Sequence, residues 1–265
     1  MIYEFMELGL VRVTEAAAIS SSELIGRGDK NEADQKAVDG MNEAFKSMPI
    51  KGTVVIGEGE LDEAPMLYIG QKVGIGEDNM PEMDIAVDPV DGTTLIAKGL
   101  SNGIAVVAMG AGDSLLHAPD MYMKKIAVGK KAKGAIDINK SPEENIINTA
   151  KALNKDLRNV TVVVQDRSRH QDIVDAARKL GASVKFFGEG DVEAIVSCGL
   201  QNQGVDIFMG TGGAPEGVIA AAAIKCMGGD MQAKLVPHTD VEIERCRKMG
   251  ISDISKVLTL EDLAK

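Results

Sequence analysis

MDIAVDPVDG, residues 83–92, decides how this chain is read. Ile85, Ala86 and Val87 form a short apolar run suited to a buried strand. The run leads into Asp88 and Asp91, three residues apart with Pro89 between them. Pro89 fixes φ and is expected to end the strand, and Gly92 lets backbone approach a ligand closely. The offset can bring both carboxylates round one turn to a common cavity, where two acids repel unless a cation lies between them. Thr93 and Thr94 then open a segment whose free backbone N–H groups can hold a phosphate. An Asx-type turn, with the aspartates only capping backbone groups, fits the isolated motif as well. Ligands of α/β sheets sit at strand ends, so the surroundings must decide.

Working outward, TVVIG at 53–57 is another short apolar strand that runs into Glu58. LDEAPMLYIGQKVG, which follows, has helical spacing. Upstream, MELGLVRVTEAAAISSSELIG reads as a helix broken by its serines and Gly26. A second helix, NEADQKAVDGMNEAFKSM, has Asp29 or Asn31 available as N-cap and carries Asp34 on its apolar stripe. GIAVVAMG at 103–110 is a strand neighbouring 83–92, and MKKIAVG at 123–129 is one more. From residue 139 strands and helices alternate: VTVVVQD, RHQDIVDAARKLG, SVKFF, DVEAIVSCG, VDIFMG and APEGVIAAAAIKCMGG. That order implies a mostly parallel sheet covered by helices. The fold class is α/β, with an α+β domain over 1–138 and a wound α/β domain over 139–265.

Composition limits the function. The chain has 265 residues and a formal charge of −11, which excludes a broad basic surface for nucleic acid. No apolar run reaches the ~18 residues of a membrane span, and Glu4, Glu7 and Glu15 are out of place in a secretion signal. Cys198, Cys226 and Cys246 are odd in number and form no CxxC, which fits a cytoplasmic protein. With His117, His170 and His238 scattered, any metal site is expected to use acidic oxygens and a hard cation, Mg²⁺ or Mn²⁺.

Asp34, Glu58, Asp88, Asp91 and Glu216 together make the acidic equipment of a multi-metal phosphatase. DPVDGT is similar to the signature of the lithium-sensitive phosphatases, the superfamily of inositol monophosphatase. More narrowly, GRGDKNEAD, VIGEGELDEAPMLYIGQKVG, DIAVDPVDGT, APDMYM and GGAPEGVIAAA resemble class II fructose-1,6-bisphosphatase, in order and nearly throughout the chain.

The resemblance implies a layered α/β/α/β/α sandwich and metal-dependent hydrolysis of the 1-phosphate of fructose 1,6-bisphosphate, a step of gluconeogenesis. It assigns Asp34 and Glu58 to one metal and Asp88, Asp91 and Glu216 to a second. Lys30 would offset phosphate charge, Asp62 polarise water and Thr93 orient the attacking water. Asp91, Gly92, Thr93, Tyr122, Arg167, Ser168, Arg169, Glu189, Gly190, Asp191 and Gly213 match positions that contact the sugar bisphosphate. Without the resemblance, Tyr122 reads as a core aromatic and Arg167 with Arg169 as a solvated pair. Two departures accompany the match: the chain stops at Lys265, short of the family's last segment, and Asp91 stands where some relatives carry Glu. The family typically forms homodimers or homotetramers, and the methionines of APDMYMKKI offer either contact surface or core. Other readings are a sedoheptulose-1,7-bisphosphatase, another sugar or inositol phosphatase, and a non-catalytic sugar-phosphate binding protein.

Overall fold

The computed structural model describes residues 2–59, 65–200 and 202–265, with side chains for all of these except 2–5. The chain is α/β, with two sheets. It divides into two compact units, Met1–His117 and Ala118–Lys265.

The first unit begins with helix α1 (Ile2–Ser22), which runs through the serines instead of breaking there. Ser21 Oγ donates to the Ala17 carbonyl at 3.0 Å and Ser22 Oγ to that of Ile19 at 2.7 Å, so their hydroxyls are satisfied within the helix. Helix α2 (Lys30–Phe45) is capped by Asp29, whose carboxylate accepts from the N–H groups of Asn31 and Glu32. Ala33, Ala37, Val38, Met41 and Phe45 give it one buried stripe. The strands are β1 (Lys51–Ile56), β2 (Lys72–Val73), β3 (Glu82–Asp91) and β4 (Ile104–Ala111), with helix α3 (Thr93–Lys98) before the last. They lie in the order β2-β1-β3-β4, with β1 and β3 parallel and β3 and β4 antiparallel. Val13 and Ala17 of α1, Met41 and Phe45 of α2, and Val54, Ile85 and Val87 of the sheet share one core.

Two further expectations fail here. Pro89 does not end the strand: β3 continues to Asp91, and its register against β4 shifts between Asp88 and Asp91. A bulge leaves a ladder position unpaired, and there the missing proline N–H costs no bond. The helix expected over LDEAPMLYIGQKVG is also absent where the stretch is described; residues 60–64 lie outside the described residues, 65–71 are irregular, and β2 follows. Tertiary ties shape this loop. The Gln71 side chain accepts from the Leu67 N–H and donates to Asn42 of α2 at 2.8 Å, and Leu67 is fully buried.

The second unit contains β5 (Tyr122–Val128), α4 (Pro142–Leu153), β6 (Thr161–Gln165), α5 (Gln171–Lys179), β7 (Ser183–Phe187), α6 (Asp191–Val196), β8 (Ile207–Gly213), α7 (Ala214–Cys226), β9 (Asp230–Leu235), α8 (Asp240–Lys248), β10 (Leu258–Thr259) and α9 (Leu260–Leu263). Its strand order is β10-β9-β5-β8-β6-β7. Only β7, β6 and β8 run parallel, whereas β5 is antiparallel to both neighbours and β10 is antiparallel to β9. The sheet is therefore mixed. Because β5 pairs with β8 and β9, residues 118–138 belong to this unit, and the break falls at 117/118 rather than at 138/139. Met121 and Met123 are buried, so these methionines are core. Ile126 and Val128 pack with Ile146 of α4 and Ile173 of α5, while residues of opposite parity on β5 face α7. Among the described residues no helix is long and apolar enough to cross a membrane.

Asp84 is an acid of β3 with a scaffolding contact: it is buried and accepts from the N–H groups of Ser114 at 2.9 Å and Leu115 at 3.1 Å. Asp84→Ala would leave two buried donors unpaired and is expected to lower stability by about 2–3 kcal/mol in urea unfolding. An unchanged midpoint would show that water replaces the carboxylate there.

Candidate active site

In the first unit the acids gather where β1 and β3 end. Asp34 lies one turn into α2, on the same side as Lys30 four residues earlier, and is half-buried while Lys30 is exposed. Glu58 follows β1, with its backbone N–H donating to the Leu67 carbonyl at 3.1 Å. Burial, and then the charge of Asp34, push the Glu58 carboxyl up from 4.5 to about 7. Burial also raises Asp34. This is a pair of carboxylates close enough to repel, which is the electrostatic setting a cation relieves.

Asp88 and Asp91 flank the bulge of β3, Asp88 half-buried and Asp91 buried. One oxygen of Asp88 does make the local turn contact, accepting from Val90 N–H at 3.1 Å. Gly92 has φ of +95° and forms the N-cap of α3, which places Thr93 in the first turn. Asp62 lies outside the described residues.

Within the second unit, the residues named from sequence gather at one end of the sheet. Arg167, Ser168 and Arg169 follow β6, Glu189, Gly190 and Asp191 follow β7, and Gly213 with Glu216 follow or end β8. These are the carboxyl ends of three parallel strands, the usual ligand-binding edge of such sheets. Since β5 is antiparallel, its first residue arrives at the same end, with Tyr122 opposite Gly213. Tyr122 is 42% exposed, which removes the core-aromatic reading. The Arg169 guanidinium stacks 5.2 Å from its ring centroid, and His238 meets the ring edge-on at 5.6 Å.

Both arginines are oriented by backbone. Arg169 donates to the Thr211 carbonyl at 2.8 and 3.1 Å and to Gln165 Oε1 at 2.7 Å, and Arg167 to the carbonyls of Asp166 and Gly188 at 3.0 and 3.2 Å. A guanidinium has five donors, so these ties aim the forks without exhausting them. Beneath them the buried His170 accepts from Thr211 N–H at Nε2, 2.9 Å, which leaves Nδ1 to donate to the Gln165 carbonyl at 3.0 Å.

Glu216 sits in the first turn of α7, where the helix dipole favours a negative charge. Burial nevertheless raises its carboxyl, with Lys125 opposing and Asp191 and Asp120 adding to the rise. Its Oε2 is buried and has no hydrogen-bond partner among the described residues. A Cβ at Gly213 would collide with that carboxylate, so the glycine makes its space. A buried acceptor without a donor fits a divalent-cation ligand, and the all-oxygen donors fit Mg²⁺ or Mn²⁺. Among the described residues no three Asp, Glu, His or Cys side chains converge as a cage by themselves.

Lys125 was not among the residues singled out from sequence. It is 1% exposed, and its Nζ donates to Asp191 Oδ2 at 2.6 Å and to the Gly213 carbonyl at 2.8 Å. The signal lay in strand parity: Met123, Lys125 and Ala127 share a face, and a charge between two core residues needs a partner.

The family described as "Bacterial fructose-1,6-bisphosphatase, glpX-encoded" matches residues 4–265. Among curated proteins, the chain is 46% identical to "Fructose-1,6-bisphosphatase class 2" of Haemophilus influenzae, covering 96% of this chain and 79% of that protein. It is 45% identical to "Fructose-1,6-bisphosphatase 2 class 2" of Escherichia coli, covering 97% and 83%. With "D-fructose 1,6-bisphosphatase class 2/sedoheptulose 1,7-bisphosphatase" of Microcystis aeruginosa the identity is 42%, covering 97% and 81%.

The raised Glu58 carboxyl gives a signed expectation. An acid raised on folding favours the folded state fully below 4.5, and that contribution is lost as pH rises through about 7. Glu58→Gln removes the dependence. In EDTA at pH 8 the variant should be more stable than the parent by roughly 2–3 kcal/mol, and at pH 4 the two should match. Added Mn²⁺ should stabilise the parent more than the variant. Parallel stability profiles across pH would refute the burial argument.

Proposed function

Because the chain belongs to the glpX-encoded bacterial fructose-1,6-bisphosphatases, we propose that it hydrolyses the 1-phosphate of fructose 1,6-bisphosphate to fructose 6-phosphate and inorganic phosphate. The observation that carries this reading is the family match over residues 4–265, which includes every acid of the motif set. The DPVDGT signature supports membership of the lithium-sensitive superfamily as well.

Asp34 and Glu58 would hold one Mg²⁺ or Mn²⁺, and Asp88, Asp91 and Glu216 a second. Such ions, when bound, supply Lewis-acid polarisation of the phosphoryl group and acidify a water molecule. The remaining work falls to side chains that bind and orient. Thr93 positions the attacking water, Asp62 helps to polarise it, and Lys30 offsets charge on the phosphate. Arg167 and Arg169, aimed by their carbonyl contacts, suit phosphate oxygens. Ser168, Tyr122, Glu189, Gly190, Asp191, Gly213, Gly92 and Asp91 complete the sugar-bisphosphate contacts. Asp91 reaches one methylene less far than a glutamate, which alters the metal spacing without removing the ligand. No cysteine or histidine nucleophile is required. Assembly as a homodimer or homotetramer and a cytoplasmic setting follow from the resemblance; free Cys198, Cys226 and Cys246 agree with a reducing compartment.

Sedoheptulose 1,7-bisphosphate is a second substrate to test, because the Microcystis relative carries both activities in its name. The deciding assay is phosphate release by the purified chain from each bisphosphate with Mn²⁺ or Mg²⁺, with EDTA as control. Metal-dependent release is expected, and Asp88→Asn and Glu216→Gln should each lower kcat by about 100-fold or more while remaining folded. Full turnover in either variant would sink the metal assignment. Release only from other phosphate esters would replace the substrate.

A further inference from the structure

Lys125 stands in the middle of β5, bonded through its strand to β8 on one side and β9 on the other. Its side chain is fully buried. The stem lies under the first turn of α7, where Gly217 makes room: a Cβ there would come within 3.1 Å of Lys125 Cδ and 2.8 Å of Met123 Sδ. Beyond the stem, the ammonium joins two separate loops. It donates to the carboxylate of Asp191, the first residue of α6, and to the carbonyl of Gly213, the N-cap of α7. A Cβ at Gly212 would strike the Asp191 carboxylate, so that side chain is packed against bare backbone as well as ion-paired.

Stability alone is a poor reason for this arrangement. A buried ion pair loses most of its Coulombic gain to desolvation, and apolar replacements of similar volume are often neutral or better. What the ammonium does supply is a fixed direction: three donors from one point hold a carboxylate and a carbonyl that belong to different strand-to-helix loops. Both held groups belong to residues of the ligand-binding edge.

We propose that Lys125 is a positioning residue that sets sugar-bisphosphate affinity by fixing Asp191 relative to the Gly213 backbone. The proposal rests on the fructose-bisphosphatase reading for its ligand, and its effect on substrate affinity runs through those two residues. Its signature is in KM more than in kcat, since the metal ligands and the water-orienting threonine are left in place.

The test is steady-state kinetics on Lys125→Met, Asp191→Asn and the double variant, with unfolding curves for each. Lys125→Met should raise KM for fructose 1,6-bisphosphate about tenfold or more, with kcat changed less than about threefold. The double variant should be no worse than the poorer single variant, because both remove one coupling. If Lys125→Met does not fold, Lys125→Gln, whose amide nitrogen ends one bond short of the ammonium, is measured to the same criteria. An unchanged KM, a fall in kcat at constant KM, or multiplicative effects in the double variant would overturn the proposal. So would a loss of stability with unaltered kinetics of the folded protein. Parent and variants are also titrated with the bisphosphate calorimetrically in Ca²⁺. A parent that neither binds nor hydrolyses the bisphosphate overturns the functional reading and this proposal with it, whereas an active parent with an indifferent variant overturns this proposal alone.

Discussion

A carboxylate withdrawn from water needs either donors or a cation, and several acids of this chain differ in which they have. Asp84 has two backbone N–H donors, and Asp206 has Lys155 at 2.5 Å with Thr161 N–H at 2.9 Å. These acids hold loops. Glu58 and Glu216 differ: burial raises both, a second acid adds to the rise in each case, and Glu216 keeps a buried oxygen with no donor among the described residues. The acids of the first set are completed by the protein itself, whereas those of the second stay under electrostatic strain that a positive charge would relieve. Residue type does not separate the two sets, but partnership does.

Strand direction brings the candidate binding residues of the second unit to one edge. Three parallel strands deliver their carboxyl-end loops to one side, as in any wound sheet. Inserting β5 antiparallel beside β8 adds the start of that strand to the same side, so Tyr122 stands opposite Gly213 and under Arg169. A parallel β5 would have delivered Val128 there instead. His170 then ties the loop after β6 to Thr211 of β8 through a defined tautomer, which keeps the arginine loop in register with the strand that leads to Glu216.

Much of this was legible in local pattern. The apolar runs of β1, β3, β4, β6, β7 and β8, the stripe of α2 and the acids at the strand ends all follow from spacing and from breaks in hydrophobicity. Direction and register were not. Nothing local in YMKKIAV or DMQAKL says that these strands run against β8 and against each other, because the pairing is settled by tertiary contacts. Pro89 was misread for a related reason: proline forbids a donor, which ends a strand in a regular ladder but not at a bulge. The stretch 65–71 has the apolar spacing of a helix, yet Gln71 and Asn42 draw it into a loop. Lys125 was hidden by its neighbour, since KK in a strand reads as a solvated pair until parity places one of them inside.

Glycine placement at the end of β8 shows how such charges are held without a dense hydrogen-bond network. Gly212 faces Asp191, Gly213 faces Glu216, and Gly217 faces the stem of Lys125. Each omitted Cβ lets backbone close on a charged side chain that is itself withdrawn from solvent. Behind them α7 is small and apolar, with Val218, Ile219, Ala220, Ala221 and Ile224 buried, so the helix settles tightly on its surroundings. Glu216 is thereby fixed by packing and by the helix that carries it, while its buried Oε2 has no hydrogen-bond partner among the described residues. A buried carboxylate held in this way costs the folded protein stability unless a positive charge faces it.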